Sequence, residues 1–370
     1  MMSMSRLLIA LALLPVVVCA AVSFESDARA LNRSVNGASS ADMLAKIMPS
    51  VVSIRTAATI PPEYIRRLRG RLDRSDIKVD SQTGEVQMFI GLGSGTIIHS
   101  DGYVITNRHV VMMPNNTLAK TAYVMLSDRR EFKAAVLGSD DSTDIAILKI
   151  PERNLPYARF ADSDKLRVGD TVFAIGNPLG VGMTVTSGIV SALGRSDTGV
   201  GLLYQDFIQT DAPINMGNSG GPLIDFEGRI IGMNTMIRTA GQGGNIGIGF
   251  SIPANLISVV ATDLANTGKV TRGFVGLFGE DLSAEECEKM RLRLGSVLIT
   301  EVAESSPAQQ GGLKKGDVIT AIDGKPFDSW NDLRIAISKR RPGEVVQISF
   351  LRNRTPSLAK VTVVERPNSP

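Results

Sequence analysis

The chain has 370 residues, 43% hydrophobic and 21% charged, with 36 glycines. That is the composition of a globular protein rich in β-structure and turns, long enough for about two or three domains. A formal net charge of +3, with no aromatic–basic interleaving, gives no reason to expect nucleic acid, and two widely separated cysteines exclude a disulfide within the folded body.

Arg6 and the terminal amine precede an apolar run from Leu7 to Val22, closed by Glu25, Asp27 and Arg29. The pattern predicts an export signal or a short membrane anchor over residues 1–24, with the remainder exported. Val18-Cys19-Ala20 is a candidate cleavage site, and cleavage and anchoring both stay open. Residues 25–41 are polar and Ser/Asn/Ala-rich, as a tether would be. The charged stretch Arg66-Arg67-Leu68-Arg69-Gly70-Arg71 is expected to be a solvated loop or short helix, or else a regulatory insertion in the first barrel.

Short strands with turn signals between them are expected at Gly95–Ile98, Tyr103–Thr106, Ala122–Leu126, Ala134–Gly138, Ala146–Ile150, Thr171–Ile175, Val185–Ala192 and Ile230–Thr235. The spacing points to an all-β barrel or sandwich. Gly91-Leu92-Gly93-Ser94-Gly95 leads into a β-branched strand and not a helix, so it is no dinucleotide loop. A helix starting at Pro253 closes this region near residue 265, residues 266–272 link it onward, and a second unit spans 273–366. That unit carries an amphipathic helix from about Asn331 to Ser338 and a final strand pair.

Gly217-Asn218-Ser219-Gly220-Gly221-Pro222-Leu223 is a side-chain-poor turn with a serine at its apex, where N–H groups can converge on a developing oxyanion. A serine nucleophile needs a base, and the chain has only two histidines. His99 falls on a hairpin turn beside Asp101-Gly102. His109 follows a strand, a position from which a side chain projects into a cleft. Among the nearby acids, Asp140 and Asp141 read as turn residues, whereas Asp144 opens the apolar strand Ile145–Ile150. Asp211, on the loop leading into Ser219, is the rival acid. The order His109, Asp144, Ser219 is the trypsin-like one. No cluster with metal-ligand spacing and no phosphate-cradling loop is present, so neither a metal, another cofactor nor ATP is expected.

Thr106-Asn107-Arg108-His109-Val110-Val111, Asp144-Ile145-Ala146-Ile147-Leu148-Lys149 and Gly217–Leu223 resemble the three catalytic motifs of the HtrA (Deg) serine proteases. Two further stretches, residues 186–195 and 247–253, match other segments of that family. The resemblance covers roughly residues 42–366. It implies a mostly β fold, a trypsin-like double β-barrel protease domain (42–265) followed by a PDZ domain, and assembly as a homotrimer.

On that resemblance Ser219 attacks, His109 relays the proton and Asp144 orients His109. Gly217, Asn218 and Ser219 form the oxyanion hole, with Asn218 shaping the turn. Pro213 and Ile214 fall at the base of the specificity pocket, where the lack of a carboxylate implies cleavage after small aliphatic residues. Arg272-Gly273-Phe274-Val275-Gly276-Leu277 is similar to the carboxylate-binding loop of the family's PDZ domains, so Phe274, Val275, Gly276 and Leu277 are expected to hold C-terminal peptides. Leu333 and Ile337 line that groove or fill the core. Arg195 matches a residue implicated in relaying PDZ occupancy, or is a surface charge. The implied role is envelope quality control or stress signalling on misfolded or regulatory proteins in the bacterial periplasm, soluble or anchored to the inner membrane. The alternative is a latent protease acting chiefly as a chaperone or peptide-binding scaffold.

Overall fold

The computed structural model describes residues 39–60, 77–79, 84–113, 115–119, 121–177, 182–196, 202–215, 217–239 and 245–367. The leader over 1–24, most of the tether and the Arg66–Arg71 stretch lie outside the described residues. Among the described residues no helix is long and apolar enough to cross a membrane.

The first barrel uses β1 (Val51–Thr59), β2 (Ile77–Val79), β3 (Val86–His99), β4 (Tyr103–Asn107), β5 (Thr121–Met125), β6 (Glu131–Asp140) and β7 (Ile145–Lys149). Their order is β1-β5-β6-β7-β4-β3-β2, and antiparallel pairing of β1 with β3 closes it. The second is a closed barrel of β8 (Thr171–Gly176), β9 (Thr184–Arg195), β10 (Phe207–Thr210), β11 (Pro222–Ile224), β12 (Ile230–Thr239) and β13 (Asn245–Pro253).

The continuous apolar run of β7 follows from burial on both faces. Ala146 and Leu148 fill the first barrel, while Ile145 and Ile147 pack into the seam between barrels. β8 does the same, with Val172 and Ala174 inward and Phe173 and Ile175 on the seam. The helix Ala254–Thr267 covers that seam with Ile257, Val260, Ala261 and Leu264, an i, i+3, i+4, i+7 stripe. It ends at Gly268, whose N–H bonds the Leu264 carbonyl. Residues 266 and 267, expected in the linker, therefore belong to its last turn. Another helix, Ser40–Ile47, begins inside the expected tether because Met43, Leu44 and Ile47 pack on the same seam.

The C-terminal unit is a five-stranded sheet, β15 (Leu277–Asp281), β16 (Val297–Val302), β17 (Val318–Ile322), β18 (Val345–Arg352) and β19 (Thr355–Thr362). A short pair, β14 (Gly273–Phe274) with β20 (Val364–Glu365), stands beside it. The helix Trp330–Ser338 is capped by the Ser329 hydroxyl, which accepts from Asp332 N at 3.1 Å. Leu333 is fully buried in the sheet's core, and Cys287 is a buried free thiol.

Candidate active site

The architecture brings His109, Asp144 and Ser219 together from three places. His109 sits in the 3-10 turn Arg108–Val111 that ends β4, Asp144 on the turn between β6 and β7, and Ser219 on the loop between β10 and β11. Asp144 takes a left-handed backbone, φ 59°, which aims its carboxylate back at the histidine. Its carbonyl accepts from Arg108 N at 2.9 Å and from Asn107 Nδ2 at 3.2 Å. Its Oδ1 accepts from His109 N at 2.9 Å. Its Oδ2 meets His109 Nδ1 at 2.8 Å and accepts from Thr235 Oγ1 at 3.0 Å. An ionised carboxylate only accepts, so the proton of a neutral His109 belongs on Nδ1 and Nε2 is left basic.

Ser219 Oγ donates to the Thr235 carbonyl at 3.3 Å. No hydrogen bond joins it to His109 among the described residues. The loop around it is held by main chain: Asn218 N donates to Asn215 O, Gly220 N to Asn234 O and Gly221 N to Asn218 O. The N–H groups of Gly217 and Ser219 meet no acceptor among the described residues, which leaves them free for an incoming oxyanion. Asn218 N is committed to Asn215 O, so of the three expected oxyanion donors Asn218 is the one already bonded. Its buried side chain reaches the Pro213 carbonyl at 3.5 Å.

Ser94 anchors the loop from the first barrel. Its Oγ donates to Gly217 O at 2.5 Å and accepts from Asn177 N at 2.8 Å, while its N–H donates to Ser219 O at 2.8 Å. The glycine-rich run that carries it serves this contact. A Cβ on Gly93 would lie 2.6 Å from Val110 Cγ2 and 3.1 Å from Ser219 O. Gly220 answers from the other side, at φ 83°, where a Cβ would come within 2.2 Å of Ser94 O.

Pro213 is exposed and its carbonyl accepts from Thr186 Oγ1 at 2.8 Å. Ile214 is buried, and a Cβ on Gly249 would lie 2.8 Å from its Cδ1. This corner carries no charge, and the Ile214 carbonyl accepts from Asn245 Nδ2 at 2.9 Å. The rival acid Asp211 points elsewhere, its Oδ1 accepting from Ile189 N at 2.7 Å. His99 is exposed among Asp101, Tyr103 and Tyr157. Among the described residues no group of three or more His, Cys, Asp or Glu could hold a metal ion.

In the C-terminal unit Val275 and Leu277 are buried, Phe274 is half-buried, and the N–H groups of Val275 and Gly276 meet no acceptor among the described residues. They face a cavity of 240 Å³ that Ile337 also lines. Arg195 is exposed and its Nε donates to Gln209 Oε1 at 2.9 Å, across β9 and β10. None of its described hydrogen bonds reaches the C-terminal unit.

The residues that do reach it were not singled out in the sequence. Tyr204, just before β10, is buried with its ring centroid 4.8 Å from Arg272, 5.9 Å from Arg334 and 5.9 Å from Arg366. Asn331 Nδ2 donates to Gln205 O at 2.5 Å. Asp140 does more than hold a turn through Thr143: it closes β6, is buried, and forms a two-pronged ion pair with Arg272, Nη1 to Oδ1 at 2.7 Å. Burial pushes the Asp206 carboxyl up to about 6, with Asp332 and Asp164 adding to the shift and Lys339 opposing it.

A family model of the trypsin-like peptidase domain matches residues 93–233, and one of the PDZ domain matches residues 245–363. Together with the two barrels and the Ser–His–Asp cluster they define a trypsin-like serine endopeptidase with a C-terminal PDZ domain. The periplasmic pH-dependent serine endoprotease DegQ of Escherichia coli is 43% identical over 331 residues, covering 87% of this chain and 70% of that one. The periplasmic serine endoprotease DegP of Salmonella typhimurium is 43% identical over 337 residues, covering 84% and 69%. Among solved structures, the HtrA-type protease AlgW with a decapeptide superposes with a TM-score of 0.71 at 36% identity, covering 90% of this chain and 100% of that one. A serine endoprotease from Yersinia pestis gives 0.60 at 31% identity, covering 89% and 99%. The chain belongs to the HtrA (Deg) family of serine proteases.

Proposed function

We propose that this protein is an ATP-independent endopeptidase of bacterial envelope quality control or stress signalling, acting on misfolded or regulatory proteins of the periplasm. Ser219 Oγ attacks the scissile carbonyl as His109 Nε2 takes its proton. The resulting imidazolium is stabilised by Asp144, and the oxyanion is received by the N–H groups of Gly217 and Ser219. His109 then protonates the leaving amine, and water hydrolyses the acyl-enzyme by the reverse path. The observation that carries this reading is the Asp144 carboxylate, which accepts from His109 N and Thr235 Oγ1 and holds His109 Nδ1 at 2.8 Å. Apolar Ile214 beside Gly249 supports cleavage after small aliphatic residues such as Val or Ala. The free N–H groups of Val275 and Gly276 support capture of a peptide's terminal carboxylate. A homotrimer, soluble or held at the inner membrane by the N-terminal segment, is the assembly this reading carries.

One observation favours a latent resting state: Ser219 Oγ rests on the Thr235 carbonyl and not on His109. In that state the protein acts chiefly as a peptide-binding scaffold or chaperone until a peptide is bound. Hydrolysis of a Val-containing chromogenic peptide, with and without a C-terminal peptide ligand, tests both readings. The endopeptidase requires turnover that Ser219→Ala abolishes. Turnover that survives Ser219→Ala removes the proposal, and ligand-independent full activity removes the latent state.

A further inference from the structure

The arginines of the C-terminal unit fall into two groups. Arg272, Arg293, Arg340, Arg341 and Arg352 each hold a carboxylate. Arg291, Arg334, Arg354 and Arg366 hold none among the described residues, and of these four Arg334 and Arg366 line the 240 Å³ cavity beside the Val275–Gly276 loop. Arg366 Nη1 donates to Tyr204 Oη at 2.9 Å, and Arg334 Nη2 donates to Asn331 Oδ1 at 2.8 Å. Arg334 Nε is buried with no hydrogen-bond partner. Two cations thus face one cavity with only neutral groups to bond. An uncompensated charge in a half-buried site is costly, and a carboxylate supplied from outside removes that cost. Burial, with Arg366 close by, also holds the Arg334 guanidinium below its usual pKa.

The position of Arg334 says which part of a ligand would supply that carboxylate. Trp330, Arg334 and Ile337 lie at i, i+4 and i+7 on one helix face, and all three line the cavity. The strand beside them, β15, is the edge of its sheet. A peptide added to that edge, its terminal carboxylate on Val275 and Gly276, sends alternate side chains toward the helix. The last side chain falls near Ile337. The side chain two residues earlier, about 6.6 Å back along the strand, falls one helical turn back, at Arg334. We propose that the groove selects C-terminal peptides with an apolar last residue and Asp or Glu two positions before it, read by Arg334 with Arg366 beside it. This rests on the PDZ reading above and makes it more specific.

The test uses the full chain as its Ser219→Ala variant, with fluorescein-labelled decapeptides ending Glu-Val-Val, Gln-Val-Val or Lys-Val-Val, and fluorescence anisotropy at low salt. A charge-assisted bond should favour Glu over Gln by about tenfold or more, and Lys should bind weakest. Arg334→Gln should erase the Glu preference, and Arg334→Glu should turn it toward Lys. Glu and Gln peptides that bind within twofold of each other on the unmutated groove overturn the proposal, as does a preference untouched by Arg334→Gln. The amidated Glu-Val-Val peptide separates the two levels. If it binds as well as the free acid, terminal-carboxylate capture itself is wrong; if only the free acids bind, but without discrimination, that reading stands and the Arg334 assignment falls.

Discussion

Replacing Ser94 by Ala tests whether the first barrel holds the nucleophile loop in register. The substitution deletes one oxygen and keeps the Ser94 N–H bond to Ser219 O. It strands two buried groups, Gly217 O, which loses a 2.5 Å donor, and Asn177 N, which loses a 2.8 Å acceptor. Ser94 is fully buried, so water does not readily replace the hydroxyl. Two net hydrogen bonds with partners left unsatisfied put the stability loss at about 2–4 kcal/mol. For a two-barrel unit of this size that lowers the unfolding midpoint by roughly 5–15 °C. The kinetic effect has a different signature. A Gly217 peptide freed from its anchor offers a misplaced oxyanion donor, and losing one such donor costs about 10²–10³ in kcat. Because the donor acts on the transition state, kcat should fall with KM nearly constant. Hydrolysis of a chromogenic peptide below the new melting range measures kcat and KM, and urea unfolding measures the stability. If kcat stays within threefold of the parent while the protein is destabilised as calculated, Ser94 is a packing residue and the anchoring argument is wrong.

Three further outcomes are expected. Asp144→Asn should leave folding nearly intact and lower kcat by about 10⁴, because an amide can present its NH₂ to Nδ1 and turn the imidazole to the wrong tautomer; a pH–rate profile and circular dichroism check both halves. Ile214→Ala should open the corner next to Gly249, shifting preference from Val toward Leu or Met in a series of peptides varied at the cleaved residue, and should cost about 2–5 kcal/mol of stability. Asp206 has its carboxyl raised to about 6 by burial, so its contribution to the packing of residues 202–206 against the C-terminal unit is full below about pH 4 and is lost as pH rises through 6. Hydrogen exchange across residues 202–206 should therefore be slower at pH 5 than at pH 7.5 after correction for the intrinsic rate. Asp206→Asn should flatten that difference, and an unchanged pH dependence in the variant would assign the effect to another group.

The barrels were legible because their strands obey simple rules. β7 and β8 are short apolar runs bounded by turns, and their double burial explains why they do not alternate polar with apolar. β11 escaped because three residues are too few to show a period, and Pro222 within it reads as a turn. His109 could be paired with Ser219 and Asp144 in the sequence because only two histidines offered a base. Ser94 could not be found there, for its glycine-rich run has meaning only once β3 lies against a loop more than a hundred residues away. Asp140 was legible only in part for the same reason: it does hold a turn, through Thr143, but its partner Arg272 is 132 positions on. Thr235 and Tyr204 carry no local signal at all, since a hydroxyl on one acid and a ring among three arginines are both products of tertiary packing.

That packing places a costly contact close to Asp144. Asp140 and Asp144 bracket one turn, and Thr143 Oγ1 closes it on the Asp140 carboxylate. One end is held by Arg272 of the C-terminal unit, the other by Arg108 N and His109 N, and Tyr204 N donates to Ser142 O between them at 3.2 Å. Separating the two units breaks the Arg272 pair, a contact worth up to about 3–5 kcal/mol if the carboxylate were left buried. Hydration of Asp140 recovers part of it, and Asp144 lies four residues away on the same turn. A rearrangement there cannot be confined to the interface, because the Asp144 carbonyl and carboxylate are what hold His109 in place. The triad's geometry and the docking of the C-terminal unit thus depend on one five-residue turn.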